Sequence, residues 1–174
     1  MGHCISTNTE TEPDLPSTKP SRWYGPPTGR CNRVIDGDTI EMYSKVNDEW
    51  YTFTVRILHI DAPEVSKKAS KDEVKHGEAS TQALKNLINY ANKVEFIRAT
   101  SHGTYGNRIL GDFRVTYPDG SILASEWMVW RGFARKYNMR EGKKKIDYSK
   151  IPVKTPIIYR DSNGDVILGL SPSR

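Results

Sequence analysis

Cysteine is nearly absent: the chain has two, Cys4 and Cys31, in 174 residues. Two cysteines make neither a disulfide framework nor a four-thiolate zinc site. One lies in a polar N-terminal stretch and the other where the apolar pattern begins, so no bridge between them is expected. Long apolar runs are missing too. Nothing approaches the ~20 consecutive apolar residues of a membrane helix. No apolar h-region follows the N-terminus, so a secretory signal is not expected. His59, His76 and His102 have no cysteine or carboxylate arrangement of the zinc type. His59 reads as structural, on the face opposite Arg56, and His76 and His102 read as loop residues. No internal repeat is visible.

What is present is an ordinary globular composition, 36% apolar and 27% charged, with Lys+Arg 26 against Asp+Glu 21 and a net charge of +5. The length suits one domain plus a tail and is enough to bury a core without disulfides. Within 1–30, Lys19, Arg22 and Arg30 balance Glu10, Glu12 and Asp14, so the basic excess belongs to 31–174. A basic domain suits a polyanion such as nucleic acid or an anionic membrane. Charge alone fits a solvated basic surface equally well.

Residues 1–30 hold Pro13, Pro16, Pro20, Pro26 and Pro27 among Ser, Thr and Gly. Such a stretch buries too little apolar surface to offset its ordering entropy, and is expected to be a disordered tail. Trp23 and Tyr24 are its candidates for contact with the domain. Residues 31–43 read as a strand interrupted at DGDT, and 50–60 as a second run of strand type, with a turn over 45–49. Ala79, Ala83, Leu84, Leu87, Ile88 and Ala91 recur at helical spacing and predict a helix over 72–92. Strands are expected over 94–99 and 109–117, a turn at Pro118-Asp119-Gly120, and a helix over 122–131 capped by Gly132. Pro156 to Leu170 reads as a hairpin around Ser162-Asn163-Gly164. The order predicts a small closed barrel with helices packed on it.

Three motifs carry chemistry. Asp36-Gly37-Asp38-Thr39 places a carboxylate where a strand glycine marks a kink or close approach. In Arg56-Ile57-Leu58-His59-Ile60-Asp61-Ala62-Pro63-Glu64, alternation puts Arg56, Leu58 and Ile60 on one face before Asp61 to Glu64 leave as a turn. Carboxylates and an arginine at a strand end suit a hard cation and a phosphate, because calcium takes oxygen ligands and guanidinium grips phosphate oxygens. Tyr105-Gly106-Asn107-Arg108 offers an arginine and an aromatic at a loop-to-strand junction. Taken singly, each has a plain structural reading: a turn, a helix start and a surface loop.

In this order DGDT, RILHIDAPE, HGEAS opening a helix, YGNRILGDF and WRGFAR resemble the staphylococcal nuclease (thermonuclease) family over about residues 31–137. The resemblance implies an α+β fold, mainly β: a five-stranded OB-fold barrel with two or more packed helices, a common nucleic-acid platform. It implies a calcium-dependent phosphodiesterase cutting DNA or RNA to 3′-phosphates. Asp38 and Asp61 resemble its calcium-ligating aspartates, and Ala62 stands where a backbone carbonyl ligates. Glu64 resembles the residue that orients or deprotonates the attacking water. Arg56 and Arg108 resemble the arginines on the scissile phosphate. Asp36 resembles an aspartate near the metal, and Tyr105 and Tyr137 are candidate nucleotide contacts. A non-catalytic nucleic-acid-binding barrel is the alternative. YGNR is one residue longer than the family's usual YGR. No family role carries over to 138–174, where Arg140, Lys143, Lys144 and Lys145 precede the expected hairpin.

Met1-Gly2-His3-Cys4-Ile5-Ser6 matches the N-myristoylation pattern, with Cys4 a candidate palmitoylation site. One myristoyl chain holds a membrane weakly, and two acyl chains hold it stably. The expectation is a monomer at the cytoplasmic face of a membrane if Gly2 and Cys4 are acylated, and cytoplasmic otherwise.

Overall fold

The computed structural model describes residues 29–46, 49–101, 108–138 and 145–169. Gly2, Cys4, Trp23, Tyr24, residues 47–48, His102, Tyr105, Arg140, Lys143 and Lys144 lie outside the described residues.

The chain opens with strands β1 (Gly29–Asp36), β2 (Thr39–Val46), β3 (Glu49–Ile57) and the short β4 (Ile60–Asp61). Helix α1 (Lys71–Asn89) follows, then β5 (Lys93–Ser101), β6 (Arg108–Tyr117) and β7 (Gly120–Leu123). Helix α2 (Ala124–Trp130), β8 (Arg135–Lys136), β9 (Tyr159–Arg160) and β10 (Val166–Ile167) complete the fold. The main sheet runs β1-β2-β3-β6-β5, with β7 paired to β6. This is the five-stranded path of an OB-like α+β fold, left open in its hydrogen bonding between β1 and β5 among the described residues. Every neighbour on the path is antiparallel except β3 with β6.

DGDT is the tip of a hairpin rather than an interruption within one strand. Asp36 pairs with Thr39, leaving Gly37 and Asp38 as the loop. The apolar run over 50–60 is likewise not continuous. It breaks at Leu58-His59, where His59 adopts φ 61°, a region that costs a side-chain-bearing residue energy. Ile57 and Ile60 are both buried, which unbroken alternation of faces would forbid. Arg56, Leu58 and Ile60 therefore do not share a face. Past the break, Ile60 and Asp61 leave the main sheet and pair with Lys136 and Arg135.

Helix α1 starts at a serine N-cap: the Ser70 hydroxyl accepts the Glu73 N–H at 3.1 Å, and Asp72 and Glu73 complement the dipole in the first turn. It ends three residues before the expected Asn92, at Asn89. His76 lies within this helix rather than in a loop, so HGEAS occupies its interior rather than its start. The buried stripe is Gly77, Ser80, Ala83, Leu84, Leu87 and Ile88. It meets the sheet in a core shared with Ile40, Val55, Val115 and Met128. Helix α2 begins at Ala124 because Ile122 and Leu123 are drawn into β7, and Gly132 follows its end at φ 73°.

The C-terminal hairpin is short, with β9 and β10 flanking the Ser162-Asn163-Gly164 turn. The Asp161 carboxylate accepts the N–H groups of Asn163 at 2.8 Å and Asp165 at 3.0 Å. Leu168 then enters the core. Its N–H donates to Asp119 at 2.9 Å and its carbonyl accepts the Trp127 indole N–H at 3.4 Å. The segment is stitched to the same core as the barrel.

Candidate active site

The hairpin tip turns Asp38 inward, where it is 2% exposed. Its Oδ1 accepts the Arg56 Nη1–H at 2.7 Å and the Thr39 hydroxyl at 2.8 Å. Its Oδ2 accepts the Ala62 N–H at 2.8 Å. The β2–β3 register sets Arg56 opposite Thr39, which is why its guanidinium arrives beside Asp38. The other limb of that fork reaches Asp61 Oδ1 at 3.1 Å. Asp61, also buried, takes Arg135 on its second oxygen, from Nη2 at 2.6 Å and Nε at 3.1 Å. Carboxylate and guanidinium thus alternate: Asp38, Arg56, Asp61, Arg135.

Arg135 is the residue sequence reasoning missed. It closes the quoted WRGFAR motif, but it lies far along the chain from Asp61 and no local pattern connects the two. Only the pairing of β4 with β8, with Asp61 opposite Arg135, brings them together. Tyr137, half-buried, follows directly on β8, and its N–H donates to the His59 carbonyl at 2.8 Å.

Burial pushes the Asp38 carboxyl up to about 6 from 3.8. Arg56 opposes that rise, the neighbouring charge of Asp36 adds to it, and the Ala62 N–H and Thr39 hydroxyl oppose it. Desolvation prevails, so the pocket carries less positive charge than its carboxylate needs. A bound cation would correct this.

Arg108 enters from β6, which runs parallel beside β3. Its Nη2 reaches the Thr39 hydroxyl at 3.5 Å. Its buried Nε has no hydrogen-bond partner among the described residues. A half-buried guanidinium with an idle donor suits an anion. Two arginines from adjacent strands therefore flank Thr39, and the extra residue in YGNR does not displace Arg108 from the cluster.

Glu64 is half-buried on the irregular stretch after β4, and its N–H approaches Glu73 Oε1 at 3.4 Å. Two glycines set where that stretch runs. A Cβ on Gly77 of α1 would stand 2.8 Å from the Pro63 carbonyl and 2.9 Å from that of Glu64. A Cβ on Gly37 would stand 2.6 Å from Ser80 Cβ and 2.8 Å from Ala62 Cβ. The DGDT, DAPE and HGEAS motifs therefore interlock through backbone approaches that only glycine permits.

Among the described residues no group of three or more His, Cys, Asp or Glu side chains is arranged around a metal position. The available donors are the Asp38 and Asp61 carboxylates and main-chain carbonyls such as that of Ala62. All are hard oxygens, without sulfur or imidazole, so the set fits a calcium-type cation that completes its shell with water and substrate.

Comparison with known proteins places the chain beside nucleases. The profile described as Staphylococcal nuclease homologue matches residues 54–153. Endonuclease YhcR of Bacillus subtilis (strain 168) is 27% identical over 160 residues, covering 89% of this chain and 12% of that protein. An uncharacterized endonuclease of Escherichia coli is 38% identical over 109 residues, 63% of this chain and 60% of that protein. The chain thus spans less than two thirds of each of these relatives.

Proposed function

The chain belongs to the staphylococcal nuclease family, and from that premise we propose that it is a calcium-dependent nuclease hydrolysing phosphodiester bonds of DNA or RNA. The observation that carries this reading is the placement of Arg56 across the buried Asp38 and Asp61 carboxylates, with Arg108 reaching Thr39 beside them and its Nε without a partner among the described residues. Such a constellation has little purpose in a barrel that only binds strands.

In this mechanism Asp38, Asp61 and the Ala62 carbonyl would hold calcium, which would supply positive charge to the phosphodiester. Arg56 and Arg108 donate hydrogen bonds to the phosphoryl oxygens as charge gathers on them in the pentacoordinate transition state. Glu64 orients the attacking water or takes its proton. Attack in line with the P–O5′ bond breaks it endonucleolytically and leaves the phosphate on the 3′ oxygen. Arg135 keeps Asp61 fixed while Arg56 serves substrate. Tyr105 and Tyr137 contact the flanking nucleotides.

The test is degradation of single-stranded DNA by the monomeric protein in calcium and in EDTA. Calcium-dependent cleavage that Arg56→Ala and Glu64→Gln abolish is the expected result. Binding of the strand in calcium without turnover would instead favour the non-catalytic barrel.

The N-terminal pattern adds a location. Myristate on Gly2 and palmitate on Cys4 would hold the enzyme at the cytoplasmic face of a membrane. Mass spectrometry of the N-terminus from a eukaryotic host checks this, and an unmodified Met1 refutes it.

A further inference from the structure

A second cluster lies where α2 meets the C-terminal segment. An open cavity of about 500 Å³ is lined by Trp130, Arg131, Phe133, Lys154, Thr155, Ile157 and Tyr159. Three features separate it from an ordinary surface depression. Trp130 is 50% exposed and Ile157 55%, so a large aromatic face meets solvent at its mouth. The Arg131 guanidinium sits 3.9 Å from the Tyr159 ring centroid and 4.9 Å from that of Trp130. Neither Arg131 nor Lys154 pairs with a carboxylate among the described residues, and none of the lining residues is acidic.

Lys154 is also placed rather than waving free. Its chain crosses Gly132, whose added Cβ would stand 2.9 Å from Lys154 Cε. Its Nζ donates to the Arg131 carbonyl at 3.1 Å. An ammonium has three N–H donors, so two remain for a ligand. Burial lowers the Arg131 guanidinium from its ordinary value.

Flat aromatic faces beside cations that no described carboxylate neutralises match the chemistry of a nucleotide, with a base to stack and a phosphate to pair. We infer that this cavity is a second contact for single-stranded nucleic acid, with a base on Trp130 and the adjoining phosphate on Lys154 and Arg131. The inference rests on the substrate class proposed above. Arg131 stands four residues before Arg135 of the catalytic cluster, so their Cα atoms lie within ~14 Å of each other. One strand can therefore engage both within the ~4–16 nucleotides an OB barrel covers. The cavity would grip substrate away from the cleaved bond and favour long strands over short ones.

The experiment measures affinity of the full chain in EDTA, by fluorescence anisotropy, for thymidine oligomers of ~3 and ~12 nucleotides. The affinity gained on lengthening the strand should shrink about tenfold in Trp130→Ala and in Lys154→Glu. Trp130→Phe, which keeps a stacking face, should retain most of it. Lys85→Glu, the same charge change on an exposed position of α1, should bind as wild type. An unchanged length dependence in both cavity variants overturns the inference. So does sedimentation with phosphatidylserine vesicles that Trp130→Ala abolishes while oligomer affinity stays put. Because nothing is cleaved in EDTA, the two readings fail separately. Length-dependent binding through Trp130 without hydrolysis in calcium keeps this inference and sinks the nuclease. Hydrolysis with unaltered length dependence does the reverse.

Discussion

Asp38 and Asp112 are each 2% exposed, but their surroundings answer the buried charge differently. Asp112, on β6, accepts the Ser125 hydroxyl at 2.6 Å, the Ser125 N–H at 3.2 Å and its neighbour Phe113's N–H at 2.8 Å. It caps α2, whose own N-cap, Leu123, offers no side-chain hydrogen bond. These donors are fixed by the backbones of β6 and α2. Asp38 takes one main-chain N–H and one hydroxyl, and its strongest opposing charge is a flexible guanidinium. Burial alone therefore does not separate a candidate site carboxylate from a structural one. What distinguishes Asp38 is a guanidinium partner that a phosphate can recruit, leaving the carboxylate open to a cation.

The largest expected effect breaks the Asp38 side of this contrast. Arg56→Ala should lower the cleavage rate about 10²–10³-fold, as loss of a transition-state donor does, measured in steady state with saturating calcium. Retained activity would remove Arg56 from the mechanism.

The next effect depends on pH. The folded Asp38 titrates near 6 and the unfolded one near 3.8. The native state thus holds the proton more tightly, so this group's stabilising contribution is present below pH 3.8 and is lost as pH rises through about 6. That shift is worth at most about 3 kcal/mol. Urea unfolding in EDTA should show wild type losing stability relative to Asp38→Asn across this window. A flat difference between the two proteins would mean that the folded Asp38 titrates normally. Calcium requires the carboxylate, so calcium affinity should decline on acidification below about pH 6.

Asp112→Ala tests the structural side. It leaves buried donors of α2 unanswered and should cost about 3 kcal/mol in urea unfolding. Activity per folded molecule and calcium requirement should stay close to wild type. A changed calcium requirement would dissolve the distinction between the two aspartates.

Arg135→Lys should produce the smallest change. Lysine keeps the charge but not the two-pronged grip on one Asp61 oxygen. The calcium concentration for half-maximal activity should rise about tenfold, the usual consequence of loosening a group behind a ligand, with little change in the maximal rate.

Much of this protein is legible without coordinates. The apolar spacing over 79–91 announces α1, and β-branched runs announce β3 and β6, because periodicity is a local property of the chain. Asp38, Arg56, Asp61 and Glu64 stand in unbroken motifs because a turn residue and a strand-end residue are also defined locally. Four things are not local. The break at His59 interrupts a run whose composition is all strand, and it occurs because Ile60 and Asp61 pair elsewhere. The capping of α2 comes from Asp112, a residue on another element. The place of Arg135 depends on the pairing of β4 with β8, and that of Arg108 on the parallel pairing of β3 with β6. Sequence by itself determined the residue types and their elements, since propensity and period act over a few neighbours. Tertiary structure alone decided which cation meets which carboxylate, because strand pairing joins residues that nothing along the chain connects.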